Sequence, residues 1–451
     1  TAYNGATTIT IENITFDGNQ SNFTPQCTLF GSGHASNINI KNCTFKNLDA
    51  WHMVEFNSTK DSTIDGCVFE TYGYNGTAYS EMVQLDYAGG TSVFPWYGSY
   101  DDTQCKNIKI TNNIFRNCKG SAIGNHSFKS GVLLKDVYIQ NNIFENIENY
   151  CLSLCDIENY YISNNTFNNI RYAILIINQT NNNTNIVIDN NSYTGTYSVP
   201  YVPNEGRFVG INPTGRNGYM TSGVKITNNI IKKANLHGIG LTANDVVING
   251  NVITNCYLNG IYFYGGSNCV ISANTVSDNN VASQVGRADV VVGNNSNDIT
   301  ENLTFTGNNL YSFITGTNTS KILLTSNNIT TLIRGNAILE DNIILGVLDG
   351  ESTTLKTVTP VSTYGTIASG GYIKTGKIIT VNLSVNITTE VPALTSFITG
   401  LPIGLVNLTA LIGFKTSGSA LNGFYVAVDT IRCASILPVG NYTINGTYIA
   451  Y

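Results

Sequence analysis

Apolar and polar residues alternate along most of the chain in short runs of five or six, the period of a strand with one buried face. The runs share one phrase, Ile-x-Asn-Asn-x-Phe. It reads Ile110–Phe115, then Ile139–Phe144, then Ile162–Phe167, and it recurs more loosely from Ile188–Tyr193 through to Leu339–Ile344. Earlier variants are Ile11–Phe16, Ile40–Phe45 and Ile64–Phe69. That makes about 13 copies, most of them roughly 22 to 29 residues apart, the period of a β-solenoid coil. Ile and Phe at alternate positions would point into a shared interior. The second Asn is expected at a bend, in the left-handed conformation that Asn tolerates. Stacked coils would then line up Asn113, Asn142, Asn165, Asn191, Asn229, Asn251 and Asn274 as a ladder of amide–amide hydrogen bonds. A leucine-rich repeat is excluded by the missing Leu spacing.

Each coil carries a further, earlier strand, as in Tyr150–Leu154, Tyr172–Ile176, His237–Leu241 and Asn259–Phe263. Three stretches align with it and differ in chemistry: His52–Asn57, Glu81–Asp86 and Ser121–His126. Alternation turns Val54, Phe56, Val83, Leu85 and Ile123 inward, with Asn125 breaking the apolar pattern. Neighbouring coils would stack Glu55 by Gln84, and Asp86 by His126, on one outer wall. Insertions at 71–105 and 194–222 leave the repeat beside this strand and could wall one groove.

Composition narrows the function. Charged residues make up 12% of the chain and the net charge is -6, which leaves no basic stripe for a nucleic acid. No apolar run approaches the roughly 20 residues that a membrane span needs. The 26 Tyr suit a surface that stacks on sugars. Of the 10 Cys, Cys43 and Cys67 fall where later copies carry Asn, and Cys118 and Cys256 fall where others carry Ile; they read as buried thiols. No C-x-x-C pair suggests a metal site. The Asn-x-Ser/Thr triplets arise from an Asn- and Thr-rich repeat rather than as glycosylation acceptors. The repeat is already under way near Ile9, as expected for a piece whose N-terminal part is missing.

The repeats stop near Leu345. Residues 348–362 read as a linker, and 363–451 as a C-terminal β-sandwich or jelly roll with strands punctuated by Gly400, Pro402, Gly418 and Gly440. The strings GGYIKTGKIITVNLSV, FITGLP and LPVGNYTINGTYIAY resemble the C-terminal domains of tail proteins from phages of low-GC Gram-positive bacteria. Over roughly residues 5–347, within a domain spanning 1–347, the repeat resembles the right-handed parallel β-helix of the pectate-lyase-like superfamily. The strings HMVEF, EMVQLDYA, GSYDDTQCKNIKITNNIF and GNHS resemble phage tail proteins with such a β-helix. The resemblance implies a virion protein that binds, and often cuts, host surface glycans, attached to the rest of the tail through a missing N-terminal part. It also implies a homotrimer, with the C-terminal part as clasp or as carbohydrate-binding module.

The candidate catalytic residues are Glu55, Glu81, Asp86, Asp101 and His126, because carboxylates and an imidazole on one wall are the material of general acid–base chemistry. Glu81 and Asp86 lie roughly 16 Å apart along one strand, too far for one catalytic pair, whereas Glu55 and Asp86 lie roughly 8 Å apart between backbones, within the range glycosidases use. His126 would be oriented or raised in pKa by Asp86. His52, Gln84, Asp102, Trp96, Tyr97, Tyr100, Tyr219 and Arg207 are candidate substrate-binding residues, Arg207 for an anionic group. A loop carboxylate folded over Asp86 would act as the acid or bind Ca²⁺; no cofactor is required. Three functions compete: a hydrolase of a host cell-surface polysaccharide or wall teichoic acid, a polysaccharide lyase with a basic residue as base, and a receptor-binding spike without catalysis.

Overall fold

The computed structural model describes residues 2–22, 27–73, 81–90, 99–196, 206–213, 218–284, 287–293, 300–315, 319–332, 337–340, 343–347, 359–360, 364–375, 378–399, 409–415, 421–427, 430–436 and 438–449. Trp96 and Tyr97 lie outside them, as does the expected linker apart from Thr359–Pro360. The chain forms two compact units. One comprises Thr1–Thr330 and Asn336–Ile344, the other Thr331–Gly335 and Leu345–Tyr451.

The first unit is the expected solenoid. A typical coil has three strands, Lys106–Thr111, Ile114–Cys118 and Ser121–Gly124, and the next repeats them as Leu134–Gln140, Ile143–Ile147 and Tyr150–Cys155. Each strand pairs in parallel with its equivalent one coil on. The inward apolar positions of the coil, such as Ile108, Ile110, Phe115 and Ile123, are fully buried. Phe16, Phe45, Phe69, Phe115, Phe144 and Phe167 stack face to face, neighbouring centroids 4.7–5.0 Å apart, which is the rung spacing of a parallel sheet.

The Asn ladder is present, and it runs on through Asn308 to Asn327. Asn142 Nδ2 donates to Asn165 Oδ1 at 3.1 Å, and Asn165 Nδ2 to Asn191 Oδ1 at 3.0 Å. Each ladder Oδ1 also accepts the backbone N–H of the preceding rung's corner residue, as Asn165 does from Asn142. The expected conformation is corrected in one respect. The left-handed residue is the first Asn of the phrase, as at Asn112, Asn141 and Asn164 with φ of 58°, 58° and 57°. It turns the corner in the open, so the next side chain drops into the corner, where its amide must find partners. Gly250, Ala273 and Ser326 take the first place in later coils. Cys43 and Cys67 continue the ladder: Cys43 N donates to Cys67 Sγ at 3.4 Å, and Cys67 N donates to Asn113 Oδ1 at 2.8 Å. All ten cysteines are free thiols, and all but Cys27 are buried.

The C-terminal unit is antiparallel. Its eight strands run in the order Thr359–Pro360, Ser396–Thr399, Thr430–Cys433, Leu421–Ala427, Thr409–Lys415, Gly440–Ile449, Ile378–Ile387 and Gly365–Thr375. Phe397 and Ile398 near one edge share a core with Val381, Leu383 and Val385 near the other. One sheet that buries both edges in a single core must curl over itself, so this sandwich is made from a continuous sheet.

Candidate functional site

The third strand of each coil carries the site. Register fixes an outward column in which Glu55 faces Gln84, Gln84 faces Gly124, and Gly124 faces Ser153. The column continues through Leu175, Gly210, Gly240 and Tyr262. Val54, Phe56, Val83, Leu85 and Ile123 turn inward. Asn125, which breaks the apolar pattern, is a second amide rung. Its Oδ1 accepts from Cys155 N at 3.0 Å and its Nδ2 donates to Cys155 O at 2.6 Å.

Alternation would send Glu81 inward with Val83. Instead its side chain folds over the wall, where a Cβ added at Gly124 would meet Glu81 Cγ at 2.8 Å. The missing side chain of Gly124 is therefore the space the Glu81 carboxylate uses. Glu81 Oε2 lies 3.4 Å from His126 Nδ1 and 3.8 Å from His52 Nδ1. It accepts no hydrogen bond, although it is buried. His52 Nδ1 is engaged by the Glu81 backbone carbonyl at 3.0 Å, and the two imidazoles stack with centroids 6.0 Å apart. The separation of Glu81 and Asp86 expected from strand geometry is thus bridged by side chains. Gln84 Nε2 donates to Asp86 Oδ2 at 3.1 Å and lies 3.1 Å from His126 Nδ1. Ser127 Oγ donates to Asp86 Oδ2 at 3.0 Å, and Asp86 Oδ1 has no partner.

The carboxyls are buried rather than exposed: Glu55 is 6%, Glu81 4% and Asp86 1% exposed. Burial pushes Glu55 up to about 7, against the hydrogen bond from Thr28 Oγ1 at 3.0 Å, with the Asp86 charge adding to the rise. Burial pushes Asp86 up to about 6, opposed by His126, Gln84 and Ser127. For His126, burial acts to lower the pKa, but Glu81, Asp86 and Glu55 together outweigh it and raise it. His52, enclosed more fully, is lowered by burial despite Glu81. His126 Nδ1 faces the Gln84 amide on one side and the Glu81 carboxylate on the other, and a proton on that nitrogen would be held by Glu81.

Other expected site residues stand elsewhere. Asp101 Oδ1 accepts from Thr103 N at 3.1 Å and lies 4.0 Å from His34 Nε2, so it joins His34 rather than Asp86. Asp102 pairs with Lys129 at 2.6 Å. Tyr100 is exposed and Tyr219 half-buried. Arg207 lies further up the same wall. Thr28 and Ser127 were not legible as site residues, although Ser127 follows His126 directly. Among the described residues, no group of three or more His, Cys, Asp or Glu is placed to hold a metal ion. A separate cavity of ≈ 870 Å³ sits at the corner before the third strands, with Asn117, Asn146 and Asn169 in its lining and the insertion roots Gly73 and Thr196 beside them. None of the carboxyl cluster lines it.

The family profile of right handed beta helix regions matches residues 210–344, and the solenoid is a right-handed parallel β-helix. No curated protein matches the sequence. Similar solved structures include PfbA, a surface adhesin of Streptococcus pneumoniae, at 16% identity over 80% of this chain and 69% of that one, with a TM-score of 0.37. The Dettilon tailspike protein is 12% identical over 98% of this chain and 87% of its own, with a TM-score of 0.38. The A-module of an Azotobacter vinelandii mannuronan C-5 epimerase is 13% identical over 76% and 88%, with a TM-score of 0.39. Likenesses at these scores carry no argument about the chemistry of this chain.

Proposed function

We propose that the protein is a phage tail spike that binds a host cell-surface polysaccharide or teichoic acid along the third-strand wall and cleaves it by hydrolysis. The observation that carries this reading is the convergence of Glu55, Glu81, Asp86, His52 and His126 on one outward wall, with two carboxyls raised to about 7 and about 6. Glu55, half protonated near neutral pH, suits the general acid that protonates the leaving oxygen. Asp86, mostly ionised there and with one free oxygen, suits the base that activates water or the nucleophile. Glu81 holds His126, and His126 and Gln84 orient Asp86; Ca²⁺ has no necessary part. The near-complete burial of Asp86 favours a second reading, a glycan-binding spike in which the cluster only stiffens the wall.

The phage assignment rests on the strings quoted above, and the trimer on the exposed apolar residues of the C-terminal unit. Leu394, Ile436 and Val439 are 63%, 54% and 57% exposed, which suits burial against other copies. Release of reducing ends from a host polysaccharide, or of phosphomonoester ends from teichoic acid, without the absorbance of unsaturated sugars, is the result expected of a hydrolase. Unsaturated products would indicate a lyase, and no chain shortening would leave only the binding role.

A further inference from the structure

We propose that Arg207 anchors a second subsite on this wall, built to hold an oxyanion carried by the glycan, either a uronate carboxylate or a phosphodiester. The inference rests on the reading of the wall as a glycan groove. Arg207 opens the strand Arg207–Ile211 and is only 7% exposed. Gly210 and Gly240 face each other in register and leave a trough on the outward column. The Arg207 side chain lies in that trough: a Cβ at Gly210 would meet its Cδ at 3.5 Å, and one at Gly240 its Nε at 3.3 Å. Glu81 uses the space over Gly124 in the same way, so one wall presents an acid at one level and a cation at another.

The guanidinium is incompletely satisfied. Arg207 Nη2 donates to Tyr264 Oη at 3.1 Å, but Nε is buried without an acceptor, and among the described residues Arg207 forms no ion pair. A buried cation without a counter-charge is costly, and a ligand oxyanion would supply what is missing. Arginine offers a planar fork that matches carboxylate and phosphate oxygens. The surroundings repeat the sign. His237, opposite Arg207 in register, is driven well below its usual pKa by burial and then by the charges of Arg207 and Arg287. Its Nδ1 accepts from Asn259 N at 3.3 Å, so its proton sits on Nε2 as another donor. Tyr262 stacks on His237 with centroids 4.8 Å apart. Tyr262 is also the next outward residue after Gly240. From Gln84 to Gly210 is four rungs, roughly 19 Å at about 4.8 Å each. An extended glycan lying up the wall would reach both sites.

Titration calorimetry on the full chain tests this, with polyuronate oligomers, glycerol phosphate oligomers and neutral dextran oligomers of equal length. One anionic series should bind, with an affinity that falls as salt is added, and which series binds identifies the oxyanion. Arg207→Met should weaken binding at least about tenfold, and Arg207→Lys less. Neutral oligomers binding as tightly, neither anionic series binding, or salt-independent binding would each overturn the proposal, and these need no variant. Retained anionic affinity in a folded Arg207→Met would overturn it too. Binding that depends on Arg207 without any cleavage would sink the hydrolase and leave the subsite standing; cleavage without that dependence would do the reverse.

Discussion

Asp86→Asn separates the chemistry of the cluster from its cost to the fold. The side chain keeps its shape, and the new amide oxygen can take the place of Oδ2 and keep the bonds from Gln84 and Ser127. What disappears is a charge that burial opposes. Asp86 is pushed from its usual 3.8 to about 6, and the difference of about 2 units corresponds to about 3 kcal/mol. The sign follows from which state holds the proton. Between 3.8 and about 6 the folded chain keeps it and the unfolded chain has lost it, so this carboxyl makes stability fall as pH rises. The penalty is absent below that window and complete above it. Asp86→Asn should therefore stabilise the chain by up to about 3 kcal/mol at pH near 7.5, and by roughly half of that near pH 5. Denaturant midpoints for both proteins at the two pH values read this directly. Turnover should fall at least about a hundredfold, the usual scale of losing an acid–base group. A variant destabilised by several kcal/mol at neutral pH would refute the burial argument, and a fully active one would refute the assignment.

Cleavage should follow a bell-shaped pH profile with limbs near the values of about 6 for Asp86 and about 7 for Glu55, recorded as initial rates across pH; a flat profile would remove both residues from the acid and base roles. Asn142→Ala should cost about 3 kcal/mol or more by denaturant unfolding, because it deprives Asn113, Ile110 O and Asn165 of partners in a buried corner; a loss under about 1 kcal/mol would mean the ladder is not a source of stability. Light scattering should give three times the chain mass, and deletion of residues 363–451 should return the monomer. A monomer of the intact chain at micromolar concentration would remove the proposed trimer.

The repeat was legible because its period is written in side chains that all do the same thing, Ile and Phe filling the interior and Asn filling a corner. The roles of the two Asn were not, since both residues suit bends and only the backbone decides which one turns. The outward column was legible from alternation, which put Glu55 beside Gln84. Glu81 was legible as a candidate but its path was not, because it opens its strand and bends over Gly124, a course set by the neighbouring coil's glycine rather than by its own spacing. Asp101 was read as a loop carboxylate at the end of the insertion, folded over Asp86. The loop instead carries it to His34, and spacing cannot report where an insertion returns. Arg207 was readable as a cation near a groove. Its trough was not, because Gly210 and Gly240 become one recess only when adjacent coils are in register.

The central claim is that this wall cuts a glycan by adding water. Incubating the protein with purified wall polysaccharide and teichoic acid of a host bacterium, followed by mass analysis of the products, tests it most directly. Oligosaccharides whose masses equal whole repeating units plus one water, absent with Glu55→Gln, are the result the account predicts. Glycan of unchanged length would contradict it, as would fragments whose masses lack that water.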